Sequence, residues 1–167
     1  MRVLKIFAGV VGALVAGLAI TFVAARFNDG PLGMIPGGPL RSGEMVTTFT
    51  ARWDDARDIE TIELQLADEE TSRTTWIVVD GAKAYIPASL GFPPGKTWHL
   101  RADENGRAII RYNEKRYDVR LDRTSDSDVQ AALAGIVEKK YSGGPPSDSE
   151  VWFFEITSMS PRSEPSP

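Results

Sequence analysis

One short stretch gathers more chemistry-bearing side chains than any other. Lys96-Thr97-Trp98-His99-Leu100-Arg101 puts two cations, a broad aromatic ring and an imidazole within six residues. An anionic group could meet Lys96 and Arg101 while a planar ring stacks on Trp98. Pro93-Pro94-Gly95 precedes the stretch, so it begins in a loop. The competing expectation is structural: Trp98 plugs a core and His99 bonds a neighbouring carbonyl. Arg73 heads a second group, Arg73-Thr74-Thr75, just after Asp68-Glu69-Glu70. It reads either as a ligand contact or as an ion pair with Glu69 or Glu70.

Composition removes many other chemistries. The 167 residues include no cysteine and one histidine, His99. Disulfides, thiolate metal sites, iron–sulfur clusters and a cysteine nucleophile are excluded, and a serine–histidine–acid triad would have to use that one imidazole. With 19 Lys+Arg against 23 Asp+Glu and no basic run, nucleic acid is not an expected partner. The acidic run Asp54, Asp55, Asp58, Glu60 and Glu63 lacks the turn glycine of a calcium loop. Arg107, Arg111, Arg116 and Arg120 alternate with Glu114, Asp118 and Asp122, which reads as charge pairing across strands.

These residues follow a membrane-type segment. Ile6 to Ala25 is a run of 20 residues without a charge, about 30 Å of helix and so about one hydrocarbon core. Arg2 and Lys5 lead it and Arg26 follows. Residues 1–26 are therefore expected to be a single-pass anchor at the cell membrane, with the N-terminus cytoplasmic and the domain extracytoplasmic. Val23-Ala24-Ala25 also satisfies a signal cleavage pattern, so the alternative is secretion after cleavage. Gly9, Ala13, Gly17 and Thr21 recur every fourth residue and could let two helices associate. Setting Arg2, Lys5 and Arg26 aside leaves 16 cations against 23 anions, net −7, which disfavours docking on anionic lipid. Residues 27–43, with five glycines and three prolines, read as a tether that could pack along the domain's flank, and 158–167 as a disordered tail.

Between them, residues 44–157 carry a mainly β pattern. Thr61 to Leu66 alternates at period two with Ile62, Leu64 and Leu66 on one face. Thr74 to Val79, turned by Asp80-Gly81 onto Lys83 to Ile86, predicts a hairpin. A second hairpin joins Arg107–Tyr112 to Arg116–Leu121, with Tyr117, Val119 and Leu121 facing in. Val151 to Ile156 predicts a last strand and Glu44 to Trp53 a first one. Since Trp152-Phe153-Phe154 puts bulk on both strand faces, the outer one needs cover from the tether or a partner. One amphipathic helix, capped by Ser125 with Asp128, carries Val129, Ala132, Leu133, Ile136, Val137 and Tyr141 on one face and could close at Gly143. The expected architecture is a small antiparallel split barrel of six or seven strands, its open end covered by that helix.

The order of these features resembles the split β-barrel of the deazaflavin-dependent nitroreductases, relatives of the pyridoxamine-phosphate-oxidase-like flavin binders. The residues that carry the resemblance are Arg73-Thr74-Thr75, Asp80-Gly81, Leu100-Arg101-Ala102-Asp103, the Arg107–Leu121 hairpin and Lys140-Tyr141, over about residues 60 to 157. It implies a deazaflavin or FMN cofactor contacted by Arg73, Thr74, Thr75, Lys96 and Arg101, with Trp98 and His99 beside them. The family's loop before Arg-Thr-Thr is rich in glycine, serine and basic residues. Here Asp68, Glu69 and Glu70 stand in it, and at an effective dielectric near 20 each carboxylate about 4 Å from a phosphate charge costs about 4 kcal/mol. Two readings stay open: a non-catalytic binding module, or a flavin-type oxidoreductase.

Overall fold

The computed structural model describes residues 2–46, 53–141 and 150–159. Its elements are α1 (Arg2–Ala25), β1 (Glu44–Val46), a 3-10 turn at Asp54–Ala56, β2 (Thr61–Leu66), β3 (Arg73–Trp76), β4 (Val78–Asp80), β5 (Lys83–Ser89), α2 (Trp98–Glu104), β6 (Arg107–Tyr112), β7 (Lys115–Arg123), α3 (Ser127–Lys140) and β8 (Val151–Ser158).

The strands pair in the order β3-β2-β6-β7-β8-β5-β4, each neighbour antiparallel. β3 and β4 stand at opposite ends of that order, yet only Ile77 separates them in the chain. One bent segment thus forms both edges, and the sheet wraps into a nearly closed barrel. This corrects the single strand expected over Thr74–Val79: Thr74 and Thr75 pair with β2, while Val78 and Val79 pair with β5. At the bend, ladder bonding fails for Ile77, and a buried orphan amide or carbonyl would cost about 1–3 kcal/mol. The Ile77 amide reaches the Glu60 carbonyl only at 3.4 Å, and the C-terminal end of α3 supplies the closer partners. The Tyr141 hydroxyl donates to the Ile77 carbonyl at 2.7 Å and accepts the Ile77 amide at 3.2 Å, and Lys140 Nζ donates to the same carbonyl at 3.0 Å.

Period-two alternation fills the interior. Ile62, Leu64, Leu66, Ile86, Ile110, Val119, Leu121 and Phe154 form one cluster with Trp53, Trp98 and Ala102, and Tyr117 packs against it. The inward register of β7 is therefore as its alternation predicts. The β6–β7 turn is two residues, Asn113 and Glu114, both at positive φ (48° and 60°), the primed geometry whose twist suits a hairpin. In the β4–β5 hairpin Asp80 pairs with Lys83, so the turn residues are Gly81-Ala82 rather than Asp80-Gly81.

The helices differ from expectation in number and place. Trp98–Glu104, read as a loop and turn, is a helix, and its Trp98 and Ala102 enter the barrel core. The longer helix lies instead outside the wall. Its Leu133, Val137 and Tyr141 pack on Val78, Tyr85 and Phe153, so α3, not the tether or a partner, covers the second face of β8. Its cap is Asp126 rather than Ser125: the carboxylate accepts the amides of Asp128 and Val129 at 2.9 and 3.2 Å. Gly143 lies outside the described residues.

Residues 27–43 form an ordered strap that packs along the barrel's flank. Gly37 bridges Ser72, the Ser72 hydroxyl donates to the Gly38 carbonyl at 2.6 Å, and the Leu40 amide donates to Gln65 Oε1 at 2.8 Å. Asp29 accepts the Arg41 and Ser42 amides and is paired with Arg111, which also pairs with Glu63. The Arg116 guanidinium donates to the Gly43 and Leu40 carbonyls, so this arginine ties down the strap instead of joining a charge ladder. Gly37 must be glycine: a Cβ there would fall 1.7 Å from the Gly30 carbonyl oxygen. The strap leads into β1, which runs parallel to β7; residues 47–52 of the expected first strand lie outside the described residues. Ser158, assigned to the tail, ends β8, and 160–167 likewise lie outside.

Among the described residues one helix, α1, is long and apolar enough to cross a membrane. Its large apolar side chains, among them Ile6, Phe7, Leu14, Ile20 and Phe22, are exposed, whereas Ala25 at its end is buried against the strap.

Candidate functional site

The α2 end of the barrel brings together most of the residues singled out by type. Trp98 is 6% exposed, its ring 5.8 Å from that of Phe154, so it plugs the core as the structural expectation had it. Arg73 reaches it from β3, with Cζ 5.9 Å from the indole centroid. Arg73 is also ion-paired with Glu69, and the other Glu69 oxygen lies 3.5 Å from Arg101. One carboxylate thus sits between two guanidiniums, and it is less exposed than either of them. Burial, reinforced by the Arg101 charge, lowers Arg73 to about 10, so it stays charged at neutral pH.

His99 occupies the adjacent position on α2 and is 6% exposed. Its ring meets Trp152 edge to face at 5.4 Å, and no group hydrogen-bonds its Nδ1. The expected bond to a neighbouring carbonyl is therefore missing at that nitrogen. Burial, with the Lys96 charge adding to it, pushes the imidazole below its ordinary value. Burial alone pulls the Lys96 ammonium down to about 8. Trp152, from β8, donates to Glu150 at 2.9 Å, while the Arg123 guanidinium lies 3.4 Å from its ring and is paired with Asp103.

Thr74 does not join this group, whereas Thr75 shares a strand face with Arg73. Successive strand residues face opposite sides, and the Thr74 hydroxyl donates to the strap carbonyl of Gly33 at 2.5 Å. Thr75 stands opposite Ile62 in the β2 pairing. Trp152 and Arg123 escape sequence reasoning as site residues because two separate strands, β8 and β7, bring them to α2, where Asp103 stands, and no local spacing marks them. A cavity of about 730 Å³ opens between the strap and the wall, lined by Gly33, Glu63, Thr74, Arg111 and Tyr112, with no α2 residue among its walls. Its one cation, Arg111, is already committed to Glu63 and Asp29.

No cluster of three or more His, Cys, Asp or Glu placed to hold a metal occurs among the described residues. A flavin-type cofactor does not fit this arrangement as it stands. The two guanidiniums that would take its phosphate hold Glu69, Thr74 is spent on the strap, and Trp98 offers no free face for a ring.

Strand order, closure through Ile77 and the α2 plug define a mainly β, nearly closed antiparallel barrel with an apolar N-terminal helix. No family model and no curated protein matches the chain. Among solved structures it is similar to that of a Listeria innocua protein provisionally named a pyridoxamine 5′-phosphate oxidase. The identity is 18%, over 59% of this chain and 82% of that one, with a TM-score of 0.42.

Proposed function

We propose that the chain is a membrane-anchored, extracytoplasmic barrel domain that binds a ligand or partner and carries out no chemistry of its own. The observation that carries this reading is Glu69: its carboxylate fills the cationic seat formed by Arg73 and Arg101. Anion recognition there would first have to displace a tethered, largely buried carboxylate, and charged groups with such partners are costly to strip. Beside that seat lie Lys96 and the buried, unpartnered His99 Nδ1, and a small anionic group that reaches Lys96 suits this end better than a phosphorylated cofactor. The uncharged run Ile6–Ala25, with Arg2 and Lys5 ahead of it, supports anchoring with the barrel outside.

The alternative, a deazaflavin- or FMN-dependent oxidoreductase, follows from the resemblance carried by Arg73-Thr74-Thr75 and Leu100-Arg101-Ala102-Asp103. It needs Glu69 to swing away from both arginines. Full-length protein purified in detergent distinguishes the two. The expected result is no flavin absorption band and no binding in titrations with FMN and deazaflavin. In Glu69→Gln, which empties the seat of its charge, weak binding of inorganic phosphate or FMN should appear. Tight cofactor binding by the unaltered chain would overturn the proposal.

A further inference from the structure

Just beyond the end of α1 the strap holds large apolar side chains away from the barrel. Phe27 is 81% exposed, Met34 86% and Leu32 42%. A flexible loop would fold such residues onto the barrel, but this one cannot. Leu32 and Ile35 exchange both backbone hydrogen bonds at 3.0 Å, and Asn28 Nδ2 donates to the Gly30 carbonyl at 2.9 Å. The Gly33 carbonyl is pinned by Thr74. At the base of the loop the Gly38 amide donates to the carbonyls of Ala25 and Asn28, both at 3.1 Å. Ala25 is the last residue of α1. The loop 26–38 is therefore built on the end of the membrane helix itself, and Phe27 lies two residues beyond it.

We infer that this loop is a second membrane contact: Phe27, Leu32 and Met34 enter the headgroup–acyl boundary of the bilayer that α1 crosses. The inference rests on the anchored reading above. Continuity with the span favours lipid over other occupants, because a rigid loop closed on the helix end lies at the depth where amphipathic and aromatic side chains settle. The charges of the strap suit that place. Asp29 is neutralised by Arg111 and two amides, leaving Arg26 and Arg41 to meet lipid phosphates. Contact at both α1 and the loop would fix the orientation of the barrel on the bilayer, which one helix alone leaves free to swivel.

The absence of cysteine makes the test direct. Single variants Leu14→Cys, Met34→Cys and Lys83→Cys of the full chain, each carrying a nitroxide, are placed in phosphatidylcholine nanodiscs. Collision with oxygen, which partitions into lipid, is compared with collision with a water-soluble nickel chelate. The expected result is an oxygen-to-nickel ratio several-fold higher at Leu14 and Met34 than at Lys83. A Met34 ratio equal to that of Lys83, with Leu14 still lipid-like, would overturn the second contact and leave the anchor standing. A Met34 label shielded from both reagents would also overturn it, with spin–spin broadening marking a second copy as the occupant. A water-like Leu14 would overturn the anchor and this inference together.

Discussion

His99 and Lys96 share a site in which both lose charge more readily than they would in water. For His99 the folded value lies below the ordinary 6.5. As pH falls below about 6.5 the unfolded chain takes up a proton that the folded chain resists, so stability declines with falling pH. Lys96 acts in the same sense higher up, because the folded amine titrates near 8 and the unfolded one near 10.5. Urea midpoints measured across pH should therefore rise toward alkaline values. His99→Gln should flatten the acidic limb and Lys96→Met the alkaline one; an unchanged slope in His99→Gln would remove the imidazole from this account. Glu69 belongs to the same scale. Its role was half legible, since Glu69 and Arg73 are four apart in sequence, whereas Arg101 joins them only because α2 folds under β3.

Strand alternation was legible wherever one face is core and the other is wet, as in β2 and β7, because burial then enforces a period of two. It failed at Ile77. The run Thr74–Val79 is β-branched or aromatic throughout, so nothing local marks the residue at which the chain leaves β2 and joins β5. The bend is set by distant groups, Tyr141 and Lys140. Tyr141→Phe should keep the stacked ring, 4.3 Å from Trp76, and lose only the hydroxyl. Unfolding free energy should fall by about 1–3 kcal/mol in urea titrations. A change within error would mean that Lys140 on the Ile77 carbonyl and the Glu60 carbonyl on its amide satisfy the bend without the hydroxyl. The helix α2 was misread for a related reason: Trp98, His99 and Ala102 bury one face of just seven residues, too few for a helical period to stand out after Pro93-Pro94-Gly95.

Across the whole molecule the strap joins α1 to the barrel wall through Asp29 and Arg111. Burial alone would raise the Asp29 carboxyl, but the Arg41 and Ser42 groups and the Arg111 guanidinium hold it well below the usual carboxylate range. Asp29→Ala should free the strap, and trypsin should then cut after Arg41 several-fold faster than in the parent chain. Equal cleavage rates would show that the remaining contacts, through Ser72, Gln65 and Arg116, secure it. A free chain of these 17 residues would have an end-to-end span of about 20–25 Å, a leash on which the barrel could wander relative to α1. Docked as it is, the same segment acts as a bracket. The distance from the end of α1 to the barrel wall is then set by the fold of the strap and not by the length of its chain.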